Sequence, residues 1–135
     1  MSRPNWQEAF SVNIHGIDAQ HRKLLELMAN LYDGVKRGYD DTYLGIRVME
    51  LSLFAGTHFD TEELLMSEYH FPGYDEHIKE HEIFRTKMTS IEQDLSTGRM
   101  PLTLATVSSL KDWYERHLLN LDKKYSSFLN GKGIH

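Results

Sequence analysis

The stretch HIKEHEIFRTKMTSIEQDL, residues 77–95, decides the fold. His77, His81, Phe84, Met88, Ile91 and Leu95 recur at steps of four, three, four, three and four. That spacing lays all six on one stripe of an α-helix, the stripe that faces inward when helices pack in a bundle. Its first two positions hold histidines where apolar residues belong. The pattern that predicts the helix therefore also places imidazoles inside it.

Working outward, HFPG (70–73) and TGRMP (97–101) break the chain on either side, and Pro72-Gly73 marks a turn. The third helix is thus expected over about 74–97. GYDD (38–41) reads as an earlier turn, with Asp41 capping a second helix over about 41–67. Asp18 is expected to cap a first helix over about 18–37, whose apolar stripe is Leu24, Leu25, Met28, Leu31, Tyr32 and Val35. A fourth helix over about 102–130 would turn Val107, Leu110, Tyr114, His117, Leu121 and Tyr125 inward and end at Gly131. No segment alternates like a strand, and there is no repeat or low-complexity run. The expectation is one all-α domain over 1–135, an up-down-up-down antiparallel four-helix bundle. Residues 1–14 form an N-terminal arm whose Trp6, Phe10 and Val12 pack on it.

Composition narrows the partners. A chain of 135 residues buries a true core, roughly two-thirds of its unfolded surface. Fifteen basic against twenty acidic residues leave a net charge of −5, which argues against nucleic acid or an anionic membrane surface. No apolar run is long enough to insert in a membrane, and the start MSRPNWQEAFSVNI lacks the apolar centre of a secretion signal. There is no cysteine, so any metal must be held by nitrogen and oxygen. A cytoplasmic monomer is expected.

The remaining histidines follow the lead of residues 77 and 81. His58 precedes Glu62 by four, as His77 precedes His81. Each pair alone is weak, because eight histidines in this length give roughly half a His–His pair at that spacing by chance. The combination is not weak. His117 lies on the inward stripe of the fourth helix, His58 shares one with Leu51, Ala55 and Leu65, and His21 opens that of the first. Burying five imidazoles and a carboxylate without partners would cost on the order of several kcal/mol each, more than a small domain can offset. Mutual hydrogen bonds could satisfy one or two of them. A metal centre satisfies all.

Helix direction brings these side chains to one end of an antiparallel bundle, together with Asp122. Asp122 is the least regular member: five residues after His117 it lies about 140° away on an α-helix, so it joins from the flank or through a π-turn. Its alternative reading is a surface aspartate beside Lys123 and Lys124. Five imidazoles and two carboxylates are too nitrogen-rich for Mg²⁺ or Ca²⁺ and too many for one tetrahedral zinc. Two metals sharing both carboxylates and one solvent-derived oxygen fit the inventory. Three histidines close one metal, and two leave the other with a free position, as binding a small diatomic molecule requires.

At these residues the chain resembles the hemerythrins, and in particular their single-domain bacterial members, from about Trp6 to Phe128. His21, His58-x3-Glu62, His77-x3-His81 and His117-x4-Asp122 are similar to the family's ligand signature, in family order. GIDAQHRKLL (16–25) and KDWYERHLLNLDKKY (111–125) are similar to its flanks. The resemblance implies two iron ions bridged by Glu62, Asp122 and an oxo or hydroxo group, and reversible O₂ binding in a carrier, store or scavenger, not an enzyme. It assigns His77, His81 and His117 to the closed iron and His21 and His58 to the open one. It lines the O₂ pocket with Leu24, Phe59, Trp113, Tyr114 and Leu118. Tyr114 departs from the aliphatic residue, usually leucine, common in the family. His15, His70 and His135 are expected at the surface. The competing readings are an O₂-activating oxidase or peroxidase, disfavoured because paired Glu-x-x-His motifs are lacking, and an O₂ sensor acting through a partner.

Overall fold

A computed structural model describes residues 2–135. Helix α1 (His15–Lys36) begins three residues ahead of Asp18, and no side chain caps it. Asp18 is drawn inward instead. One of its oxygens accepts from the Ser11 hydroxyl at 2.5 Å and the other from the Val12 N–H at 2.8 Å, which pins the N-terminal arm. An acid in a first helical turn also suits the positive end of the helix dipole. Helix α2 (Asp41–Glu68) is capped by Asp40, one residue before the expected position: its backbone is extended and its carboxylate accepts from Tyr43 N–H at 2.9 Å.

Helix α3 (Tyr74–Thr97) ends on Gly98 at φ 67°, where the left-handed turn lets Arg99 N–H reach the Asp94 carbonyl. Thr103 caps α4 (Leu104–His117), two residues later than the expected start because the chain is still leaving Pro101. From Leu118 to Asp122 the rod continues as a π-helix and then as α5 (Lys123–Gly131). These three pieces form the fourth helix of the bundle. No strand occurs among the described residues, and no described helix is long and apolar enough to cross a membrane.

α1 packs on α2 and on α4, and α2 on α3. α3 meets the fourth helix through rings, with Phe84 and Trp113 centred 5.2 Å apart. The larger core takes Leu24, Met28 and Leu31 from α1, Val48 and Leu51 from α2, Phe84 and Met88 from α3, and Val107 and Leu110 from α4. Each large side chain buried there contributes about 1.5–3 kcal/mol. A smaller core of Val12, Ile14, Ile17, Met66, Tyr125 and Leu129 joins the arm to the other end. His21 on α1, Glu62 on α2 and Asp122 on the fourth helix fall between these two apolar blocks, with His58 and His117 at the edge of the larger one. Trp6 lies partly buried in the arm under the guanidinium of Arg22, 4.6 Å from its ring.

Candidate metal centre

Each rod supplies part of one cluster. α1 gives His21, α2 gives His58 and Glu62, α3 gives His77 and His81, α4 gives His117, and the π segment ends in Asp122. Four-residue spacing stacks the pairs on α2 and α3 one turn apart. The π segment solves the geometry of Asp122, because one extra residue in the turn brings a five-residue step onto the same face. His117 Nε2 then lies 3.0 Å from Asp122 Oδ1. The same extra residue moves the inward position from Leu121, only half-buried, to Asp122, which is fully buried.

All seven side chains are buried, none more than 4 % exposed. His77 Nε2 stands 2.9 Å from Asp122 Oδ1, and His21 Nε2 stands 3.1 Å from Asp122 Oδ2 and 3.5 Å from Glu62 Oε2. His58 and His81 turn their Nε2 atoms to Glu62 Oε1, at 3.1 and 3.4 Å. Their ligating atoms form two groups, each within 4.8 Å: Glu62, His77, His81, His117 and Asp122 in one, and His21, His58 and Glu62 in the other. Glu62 belongs to both.

The outer ring nitrogens of two histidines are tied. His58 Nδ1–H donates to Gln20 Oε1 and His81 Nδ1–H to Glu63 Oε2, both at 2.7 Å. Each tie leaves the Nε2 lone pair facing the cluster. The Tyr125 hydroxyl donates to Glu62. Burial works to raise the Glu62 carboxyl, but attraction from His58 and the close approach of the His21 and His81 rings hold it well below its ordinary range. Burial and the Glu62 charge work to raise Asp122; His117 and His21 outweigh them and lower it. Burial lowers His21, yet Asp122 and Glu62 lift it to about 9.

The donors fit a metal pair. The Nε2 atoms of all five histidines, Glu62 Oε1 and both Asp122 oxygens are buried without a hydrogen-bond partner. Each such atom left bare costs roughly 1–3 kcal/mol, and a mixed imidazole–carboxylate set suits first-row transition metals. Rings wall the cluster. Phe59 stacks on His81 at 4.0 Å, Trp113 on His117 at 5.0 Å, and Tyr114 lies edge-on to His21 at 6.1 Å. Leu24 and Leu118 are buried in the same apolar block as these three. His15, His70 and His135 are exposed.

Sequence reasoning passed over Gln20 and Glu63, and read Tyr125 only as core. Each neighbours a site residue in the sequence or lies one turn away, which was the available signal.

A four-helix bundle with five imidazoles and two carboxylates converging in its core defines a class, the metal-holding helical bundles. The chain belongs to the hemerythrin HHE cation-binding domain family, whose model matches residues 12–129. It is 28% identical to the myohemerythrin of Sipunculus nudus over 124 residues, covering 92% of each chain. It is 27% identical to the bacteriohemerythrin of Clostridium acetobutylicum over 124 residues, covering 89% of this chain and 96% of that one. The crystal structure of a wild-type hemerythrin has the same fold, with a TM-score of 0.87 at 22% identity over 91% of this chain and 95% of that one.

Proposed function

We propose that this protein binds O₂ reversibly at a pair of iron ions, as a carrier, store or scavenger. One observation carries the reading: the inward, partnerless nitrogen and oxygen atoms of seven buried side chains, gathered in two groups that share a carboxylate. In this reading His77, His81 and His117 would hold one iron and His21 and His58 the other, with Glu62 and Asp122 serving both. When bound, a ferrous pair would supply the electrons that reversible O₂ binding draws on. The chain's own contribution is the pocket. Leu24, Phe59, Trp113, Tyr114 and Leu118 present apolar surface and exclude water, while Gln20 and Glu63 fix two of the imidazole rings.

Binding without turnover is favoured by the donor set. Few anionic ligands are available to support highly oxidised iron. A groove of about 620 Å³ runs between α2 and α3 past Ile46, Met49 and Leu95, away from the cluster, and one of about 390 Å³ reaches Trp113 and His117. We place the protein in the cytoplasm as a monomer. The test is metal analysis with visible spectra through cycles of O₂ addition and removal. Two irons per chain and a colour that bleaches and returns are expected. Steady O₂ consumption would favour an oxidase, and a chain that takes up no iron would end the reading.

A further inference from the structure

Five histidines point into the bundle, and the outer nitrogens of three of them, His21, His77 and His117, have no partner. The two that are tied differ in charge. His58 donates to a neutral amide, Gln20, whereas His81 donates to a carboxylate, Glu63, at the same 2.7 Å. Glu63 Oε2, the oxygen that takes the His81 proton, also accepts from Arg85 Nη1 at 3.1 Å. A line of hydrogen bonds thus runs outward from a fully buried imidazole. It passes the Glu63 side chain, 18% exposed, and ends on the Arg85 side chain, 28% exposed.

Arg85 is well held for such a role. It bonds Glu82 at 2.8 Å and Asp60 at 3.2 Å, and its guanidinium lies 5.3 Å from the ring centre of Phe59. That ring is the one stacked on His81. The sequence builds the arrangement cheaply. Glu63 directly follows Glu62, and successive residues point about 100° apart on a helix, so one acid enters the cluster while the next stands behind it.

We propose that Glu63 and Arg85 form a relay that sets the electron-donating strength of His81, and so biases one of the two metal positions toward its oxidised state. This rests on the reading that His81 holds iron. Neither residue touches the cluster's ligating atoms, so both are positioning residues acting through His81. An imidazole that donates to a carboxylate gains electron density at its other nitrogen and becomes a stronger ligand. A second donor on the same oxygen draws part of that charge away, so Arg85 moderates Glu63. Gln20 gives His58 orientation without charge. The two metal positions are thereby made unlike from outside the cluster, and Arg85 offers a handle near the surface.

The ordinary alternative is an ion pair that merely ties α2 to α3, of little worth to stability at this exposure. Redox titration of the iron-loaded protein separates the two. Glu63→Gln should raise the midpoint potential and slow loss of the oxygenated form. Arg85→Met, which keeps an unbranched apolar side chain in place, should lower the potential and speed that loss. The double variant should match Glu63→Gln alone, because Arg85 then has no carboxylate to act through. Unchanged potentials in both single variants, or additive shifts in the double variant as expected from the bare field of two charges, would overturn the relay. Cobalt(II) binding to the metal-free protein provides a readout independent of O₂: Glu63→Gln should weaken it about tenfold or more, and unchanged affinity counts against the proposal. Should Glu63→Gln fail to load iron, the cobalt affinities of the metal-free variants decide instead. A parent chain that binds cobalt but no iron pair defeats the functional reading, while its cobalt affinities still judge the relay.

Discussion

The Tyr114 ring is fully buried, and its hydroxyl reaches no hydrogen-bond partner. Burial first, and then the charges of Asp122 and Glu62, push its ionisation well above the ordinary phenol range, so the group stays neutral. A bare hydroxyl in that setting costs roughly 1–3 kcal/mol. Tyr114→Phe should therefore stabilise the metal-free protein by about 1 kcal/mol in denaturant unfolding; a loss of stability would mean that the hydroxyl is satisfied. Bulk acts separately. In a core packed this tightly one side chain can close a narrow path, so Tyr114→Leu should bind O₂ faster and autoxidise faster in stopped-flow and decay measurements. Slower decay would give the hydroxyl the larger role. Glu62 is the other decisive side chain, since it joins both ligand groups and takes a hydrogen bond from Tyr125. Glu62→Gln keeps the size but weakens bridging, and should lower iron content or alter the spectrum. If it only moves a pH–rate profile while the spectrum survives, the enzyme reading gains.

Among the elements, α3 was the most legible, because its six-residue stripe and the Pro72-Gly73 turn agree. α2 was less so. Its outer face carries Ile46, Met49, Leu53 and Leu64, all exposed, so apolar periodicity alone does not single out the inward side. Leu65, expected on the inner stripe, is half-buried, and Met66 is the one fully inside. The caps differ from the sequence expectation for a physical reason. Acids at 18, 40 and 41 all have capping chemistry, and the choice among them depends on partners. Asp18 goes to Ser11 and Val12 in the arm, leaving α1 uncapped. Asp40→Ala should accordingly cost about 1 kcal/mol of stability, whereas an equal loss from Asp41→Ala alone would return the cap to residue 41.

For the whole molecule, the cluster draws on all four rods, so holding a metal and holding the bundle together are coupled. His77→Ala or His117→Ala should empty or cripple the site and lower the melting temperature of protein purified with iron. Full iron content with unchanged melting in both variants would sink the assignment of these ligands. The seven cluster residues were readable because polar groups stood on apolar stripes. Their outer partners were not, since Gln20 reaches His58 across 38 residues and Glu63 reaches His81 across 18. Such pairings depend on how the helices cross, which periodicity does not encode.

The single extra residue between Leu118 and Asp122 has a reach beyond the carboxylate it turns. Everything after it is advanced by one position, about 100° around the axis, so the inward line continues through Asp122, Tyr125 and Leu129. Tyr125 and Leu129 are half of what the arm's Val12 and Ile14 pack against in the smaller core. Lys123 and Asn130, on the same advanced stretch, hold the arm's backbone at Ser11 and Asn13. The fourth rod is thus a shaft with two gears set out of phase, one meshing with the larger core and one with the arm. Changing the Asp122 side chain disturbs one tooth. Removing a residue from 118–122 puts the second gear out of mesh, and the ligand, the smaller core and the arm's anchorage slip together.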